Sequence, residues 1–369
     1  MKHLHRSLLL LISAVIIFSC GKNRKVTPSP PDGANLQISV GDNHTLILKA
    51  DGTAWSTGFN GTGQLGDGSL TARNTPVKVL DNVKAIAAGY SHSLFLKTDN
   101  TLWACGNNLH GELCDGTAVP QTIPVQVMTG VKAMEAGERY SFIIKTDNSL
   151  WSVGENKNGR LGDGTTTNIP VPVKILDNVL QVSSVRSHTL ILKTDNTLWA
   201  CGRNDDGQLG DGTTTDRWTP QKMTDDVKWI TAGALSSFAI KPDNSLWACG
   251  NNSSGQLGDG TTTDRKTLVK ILDDVKEVSG FSQTLILKTD NTLWATGFNG
   301  VGQLGDGTTD NKQTTIKILE SVMMVEAGNN HSHVIKMDNS FWGCGANTHG
   351  QLGDGTNLLR KLFVKMSLQ

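Results

Sequence analysis

The chain has 369 residues, and its 34 Lys and Arg balance 34 Asp and Glu, so the formal net charge is zero. Without a basic excess there is no electrostatic footprint for nucleic acid. A 37% hydrophobic share with nine tryptophans excludes a disordered chain, and six cysteines are too few for a disulfide scaffold.

The first element is an address. Lys2 and Arg6 precede an apolar run from Leu8 to Phe18, which has signal-peptide length and is short for a membrane span. The run ends at Ile17-Phe18-Ser19-Cys20, which resembles a bacterial lipobox, with Phe18 where a small residue is usual. Residues 1–19 therefore read as a lipoprotein signal peptide and Cys20 as the lipidated residue. An ordinary signal peptide with an incidental cysteine is the alternative. Residues 20–34 read as a tether: Lys22, Arg24 and Lys25 lie beside the lipid, and Pro28, Pro30 and Pro31 favour an extended chain. At ~3.1 Å per residue such a tether reaches about 40 Å from a bilayer.

Residues 35–369 are one unit repeated seven times. Trp55, Trp103, Trp151, Trp199, Trp247, Trp294 and Trp342 recur at spacings of 48, 48, 48, 48, 47 and 48. Copies begin at Asn35, Val83, Val131, Val179, Val227, Val275 and Val322, with no insertion between them. In the second copy, Val83–Ala88 reads as a short strand and Gly89-Tyr-Ser-His92 as a loop. Ser93–Thr98 is a second strand, Asp99-Asn100 a two-residue hairpin turn, and Leu102–Gly106 a third strand. A long polar loop, 107–122, leads to a fourth strand, Pro124–Val127. Four strands per copy, seven copies and no helical period predict an all-β, seven-bladed propeller. The Leu-Trp pair of the third strand is the expected inter-sheet packing element.

The long loop reads Gly58-Phe-Asn60-Gly-Thr-Gly63-Gln64-Leu65-Gly66-Asp67-Gly68 in copy one and recurs in every copy. With the Gly-x-x-His loop and the Trp-x-x-Gly strand, this resembles the regulator of chromosome condensation repeat family over essentially all of residues 35–369. The resemblance implies a seven-bladed propeller. It also brings in founding members that act as nucleotide exchange factors on a small GTPase through an inserted β-wedge, which no copy here contains.

The repeated Asp (Asp67, Asp115, Asp163, Asp211, Asp259, Asp306, Asp354) fits a turn whose carboxylate binds backbone N–H groups. Asp205, Asp206 and Asp211 form the one local acidic cluster, a weak calcium candidate. The Gly-x-x-His position holds His44, His92, Tyr140, His188, Ser236, Gln283 and His331. Since all of these hydrogen-bond, a structural role bonding backbone is expected of them, and no metal. Cys105, Cys201, Cys249 and Cys344 share a slot that elsewhere holds Thr or Val, and are expected to be buried free thiols. No catalytic constellation stands out, and neither an enzyme nor a cofactor is expected.

In an up-down-up-down blade the Gly-x-x-His loops and the long loops share one face. Differences between copies concentrate there, as a recognition surface needs. The candidate binding residues are Tyr90, Glu138, Arg139, Arg186, Phe281, Asn329 and Asn330 on the short loops. Leu109, His110, Lys157, Asp205, Asp206, Arg217, Trp218 and Arg265 are the candidates on and beside the long ones. The function expected is a monomeric, lipid-anchored, cell-envelope module that binds a protein or glycan and touches the membrane only through its lipid. The alternatives are an inhibitor of a secreted or periplasmic enzyme, akin in fold to a secreted bacterial β-lactamase inhibitory propeller, an exchange-factor-like regulator and, last, an enzyme with a channel site.

Overall fold

The computed structural model describes residues 36–368. The signal peptide, Cys20 and the tether lie outside them. Among the described residues no helix is long and apolar enough to cross a membrane.

Each repeat makes one antiparallel four-stranded sheet. Blade 1 consists of β1 (Gln37–Val40), β2 (His44–Leu48), β3 (Ala54–Gly58) and β4 (Arg73–Leu80). Blade 2 consists of β5 (Val83–Ala88), β6 (His92–Lys97), β7 (Leu102–Gly106) and β8 (Gln121–Met128). Five more blades follow in the same order, so the all-β seven-bladed propeller is what forms. The expected strands are in place, the outer one longer than its apolar run suggested.

Second strands are apolar on both faces because each is covered by a neighbouring blade; the strand His44–Leu48 is buried at every residue. Seven apolar clusters fill the spaces between blades, and the last joins blade 7 to blade 1 through Ile38, Ile47, Met324, Ile335 and Phe341. Every blade keeps its own four strands, so the ring closes by face-to-face burial without strand exchange. Thr45 Oγ1 and Thr57 Oγ1 reinforce this joint, donating to the carbonyls of Gln351 and Gly350 at 2.8 and 2.9 Å.

The glycine ending each third strand is fixed by both conformation and space. Gly106 has φ +103°, and a Cβ there would lie 2.5 Å from the Ser91 carbonyl oxygen. That close approach ties the long loop to the short one: Asn107 N–H donates to the same oxygen at 2.8 Å.

Two expectations are corrected. The hairpin turn has three residues, not two. The carbonyl of Lys97 accepts Asn100 N–H at 3.0 Å, Lys97 N–H donates to Thr101 O at 2.9 Å, and only Asn100 takes positive φ. Asp99 instead caps the turn through Thr101 N–H and Oγ1. The Leu-Trp pair also divides its work. Leu102, Leu150, Leu198, Leu246 and Leu293 are fully buried, whereas all seven framework tryptophans are half-buried. Each indole N–H donates to a Thr or Ser two residues earlier, as Trp199 does to Thr197 at 2.9 Å. Each ring also carries the lysine at or just after the end of the second strand, at 3.8 Å for Lys49 over Trp55 and 5.3 Å for Lys193 over Trp199.

Candidate functional site

Antiparallel order puts the short loops and the long loops at one end of the ring and the hairpin turns at the other. The inner strands line a central channel whose loop-side mouth carries Asp42, Tyr90, Glu138, Arg186 and Phe281. Four candidates named from sequence, Tyr90, Glu138, Arg186 and Phe281, are thus brought together from blades 2, 3, 4 and 6. The Arg186 guanidinium lies 5.5 Å from the Phe281 ring centre. Asp42 accepts from Asn329 Nδ2 and from Asn43 Nδ2, and its charge, with burial, raises the Tyr90 pKa. The mouth therefore combines a neutral phenol, an apolar ring, one guanidinium and carboxylates. Copy six is the 47-residue copy because its short loop is tighter: Phe281 N–H donates directly to Gln283 O at 2.8 Å.

The other candidates lie elsewhere. Leu109, His110, Lys157, Asp205 and Asp206 sit on the long loops, where Leu109 is 65% exposed. Asn330 contributes its carbonyl to Ala346 N–H, and Arg139 faces Glu155 at 4.0 Å. Asp205 pairs with Arg203 at 2.8 Å, and Asp206 faces the same guanidinium at 3.8 Å. Asp211 turns to Arg217 at 2.7 Å. The acidic cluster is thus divided between two arginines, and no group of His, Cys, Asp or Glu among the described residues is placed to hold a metal. Arg265 likewise pairs with Asp259 at 2.6 Å. Arg217 and Arg265 serve their own loops in these contacts. Trp218 stands 52% exposed on the outer strand of blade 4, beside Gly159 of blade 3.

The repeated loop Asp does bind backbone. Asp259 Oδ1 accepts Thr261 N–H at 3.0 Å and Asn252 Nδ2 at 2.9 Å, while Oδ2 takes Arg265. Burial opposes its ionisation, but the Thr261 hydroxyl and the guanidinium hold its pKa below the ordinary value.

The Gly-x-x-His residues do not chiefly bond backbone, contrary to expectation. Nε2 of His44, His92 and His188 meets the hydroxyl of Ser93, Ser141 and Ser237 on the next blade at 2.9–3.0 Å. Tyr140 reaches Ser184 at 2.6 Å, and only Gln283 bonds next-blade carbonyls. A hydroxyl suits the role because it bonds onward: Ser93 Oγ donates to Gln64 O at 2.7 Å, which links two blades and a long loop. To His331 the next blade presents Thr45, whose hydroxyl donates to Gln351 O as that of Ser93 does to Gln64 O, but both His331 nitrogens lack partners. Burial lowers the pKa of His44 and His92 to about 3 and of His188 and His331 to about 4, so all four are neutral rings.

Two sets of residues were missed. Arg160 is 3% exposed and lies 3.6 Å from Glu138 and 3.5 Å from Glu155, with its guanidinium 5.3 Å from the Tyr140 ring centre. Its signal was legible: it fills the loop slot that is Gln in five copies and Glu112 in copy two. Glu135, Glu277 and Glu326 line the channel. They were hidden because the inner strands were read only for their small and β-branched residues.

Fold and mouth together define a propeller whose uniform frame presents a different side chain from almost every blade. A sequence profile of the RCC1-like domain matches residues 18–229, and one of the regulator of chromosome condensation (RCC1) repeat matches residues 290–335. The chain belongs to the RCC1-like family. Human WBSCR16 is similar in structure, with 20% identity and a TM-score of 0.75 over 89% of this chain and 94% of that one. Yeast RCC1 (Prp20), solved bound to Kap60, gives 16% identity and a TM-score of 0.77 over 100% and 91%. Prp20p from Saccharomyces cerevisiae, studied for its binding to Gsp1p and histones, gives 18% and 0.75 over 93% and 90%. At these identities the likeness is one of fold. A search of curated protein sequences finds no match.

Proposed function

We propose that this protein is a lipid-anchored binding module of the bacterial cell envelope, which recognises a protein or glycan partner with its loop face. The observation that carries the reading is the convergence of Tyr90, Glu138, Arg186 and Phe281, from four blades, on one mouth of an otherwise repetitive ring. Aromatic and arginine side chains on a rigid frame are suited to anchoring a partner. That Prp20p is described by its binding to Gsp1p and histones favours a protein partner over a glycan. Inhibition of an envelope enzyme or exchange-factor-like regulation would use the same face. The chain enters the ring at the hairpin end, where Gln37 pairs with Leu48, opposite the loop face.

In-cell crosslinking and pulldown test the reading, using wild type and a Tyr90→Ala/Arg186→Ala/Phe281→Ala variant, with a glycan array alongside. The variant should keep its melting temperature within a few degrees and lose capture of the wild-type partner at least about tenfold. Equal capture by both proteins would refute the loop-face role. Turnover of a defined substrate by the pure protein would refute the binding-only role. Metabolic labelling with an alkyne fatty acid should mark wild type and not Cys20→Ser; label on neither protein would refute the anchor.

A further inference from the structure

The inner strand of each blade presents an unpaired backbone edge to the channel, and such an edge needs hydrogen-bond partners. Most blades supply them from the blade before. Gln37 bonds Lys84 O and Ile86 N, Ser39 Oγ accepts Ala88 N–H at 3.0 Å, and Gln181 and Ser183 repeat this on Ile230 and Ala232. Blade 2 has Ala85 and Ala87 at these two positions and leaves open space there. Across the same channel stand three carboxyl groups, Glu135 from blade 3, Glu277 from blade 6 and Glu326 from blade 7.

The frame engages these acids only in part. Glu135 accepts only a long 3.3 Å bond from Ser184 N–H, and Glu326 a 3.4 Å bond from Ser279 Oγ. Glu277 is 5% exposed and takes the Val325 N–H of the next blade, while its Oε2 has no partner. The indole N–H of Trp229, on the same wall, is sealed from solvent and also unpartnered. No ion pair among the described residues involves any of the three acids. The charged groups around them lie towards the ends. Lys84 and Lys132 donate to the turn residues Asn100 and Asn148 at the hairpin end, with Lys276 near Glu277; Asp42, Glu138 and Arg186 stand at the loop end beside Tyr90. Between its two ends the channel is lined from blades 1, 4 and 5 by uncharged side chains, Gln37, Ser39, Gln181, Ser183, Trp229 and Thr231, and Lys228 of blade 5 donates to Asn244 at the hairpin end.

We propose that the channel is a binding site for a cationic nitrogen group, an ammonium or guanidinium, received by Glu135, Glu277 and Glu326. It enters from the loop end, where two carboxylates are set against one guanidinium, whereas lysines line the opposite end. The alanine side of blade 2 provides the room. The Trp229 ring provides an aromatic wall of the kind that favours cations. The source is either a free amine or the basic side chain of a macromolecular partner. Burial, joined for Glu135 and Glu277 by the like charge of Glu326, raises the pKa of all three acids to about 8. A bound cation therefore displaces protons, and binding strengthens as pH rises from 6 towards 8.

Calorimetric titration of the pure protein with agmatine, for the free amine, and argininamide, for the side chain, tests this at pH 6, 7 and 8.5. Saturable binding of at least one is expected, with proton release at pH 7 seen as a dependence on buffer ionisation heat. A probe that binds alone identifies the source. Glu277→Gln, which resembles the neutral acid in shape, should weaken binding at least about tenfold while melting no lower than wild type, and above it at pH 8.5. Ala85→Gln copies the residue that blades 1 and 4 carry at this position, so the frame accommodates it. It should fill the channel and abolish binding without loss of stability. Absence of saturable binding by both probes at pH 8.5, up to about 10 mM, overturns the proposal, as does binding that Glu277→Gln and Ala85→Gln leave unchanged. Because the probes need no macromolecular partner, such a failure leaves the loop-face reading standing, and failed partner capture leaves this one standing.

Discussion

A framework tryptophan contributes in three ways at once. Trp199 packs its ring against the neighbouring blade, donates its N–H to Thr197 and lies under Lys193. Half-burial means that packing is the largest of these and the lysine contact the smallest, since an exposed cation–π pair is worth ~0.5–1 kcal/mol. Trp199→Phe keeps an aromatic ring and loses the hydrogen bond, and should cost about 1 kcal/mol. Trp199→Ala should cost about 3 kcal/mol, at the low end for aromatic truncation because the ring is not fully enclosed. Chemical denaturation of the two variants checks the order. Equal losses would mean that the indole N–H, and not the ring, carries the effect. The 48-residue period identified these residues, but it could not show their burial, because a repeat records position and not depth.

The long loop is a small folded element in its own right. Asn204, fully buried, donates from Nδ2 to Asp211 and to Thr213 O, and its Oδ1 accepts Leu209 N–H at 2.9 Å. All of its polar atoms are used, so Asn204→Ala strands several groups. It should cost about 2–3 kcal/mol by equilibrium unfolding. A loss below about 0.5 kcal/mol would show that water replaces the amide. The Asp turn was legible from the sequence because an invariably placed Asp between glycines has few other uses. Its arginine partner was not: Arg217 and Arg265 stand equally well as contact residues in the sequence, because an arginine six positions from an Asp on an irregular loop has no fixed direction until the loop is folded. The short loops were the reverse case. Their differing residues were legible as a set, and only ring closure shows that four of them share one mouth.

Across the whole molecule, two buried sets set the pH response in opposite directions. Neutral buried His44, His92, His188 and His331 have folded pKa values of about 3 to 4, below the usual 6.5. The unfolded chain therefore takes up their protons first, and stability falls as pH drops from about 6.5 to about 4. The channel acids have folded values of about 8, above the usual 4.5. Their contribution is full below pH ~4.5 and is lost as pH rises through 8. His333 is also buried and held well below 6.5, so five histidines outweigh three acids below pH 6.5, only the acids act above it, and stability should peak near pH 6 to 6.5. Denaturation midpoints from pH 4 to 9 check this; a midpoint still rising from pH 7 to 9 would contradict the buried acids. Glu277→Gln should flatten the decline on the alkaline side.

The same enclosure protects the thiols. Cys105, Cys114, Cys201, Cys249 and Cys344 are buried and free, and burial pushes Cys201 and Cys249 up to about 12. None of the five should react quickly with a thiol reagent before unfolding, and fast native labelling of four or five would show that the blades part readily. The fold as a whole was legible because seven copies of one pattern leave little freedom in architecture. The channel acids were not, because an inner strand is read as core until the ring shows that one of its edges faces an open axis.

The central claim is that a uniform ring acts through the differing tips on one face. Hydrogen–deuterium exchange of the protein, alone and with its captured partner, tests it most directly. The account predicts slowed exchange confined to the loop end, strongest at 41–43, 89–91, 137–139, 185–187, 281–282 and 329–330. Protection at the hairpin turns around Asn100 and Asn148, with the short loops unchanged, would contradict it.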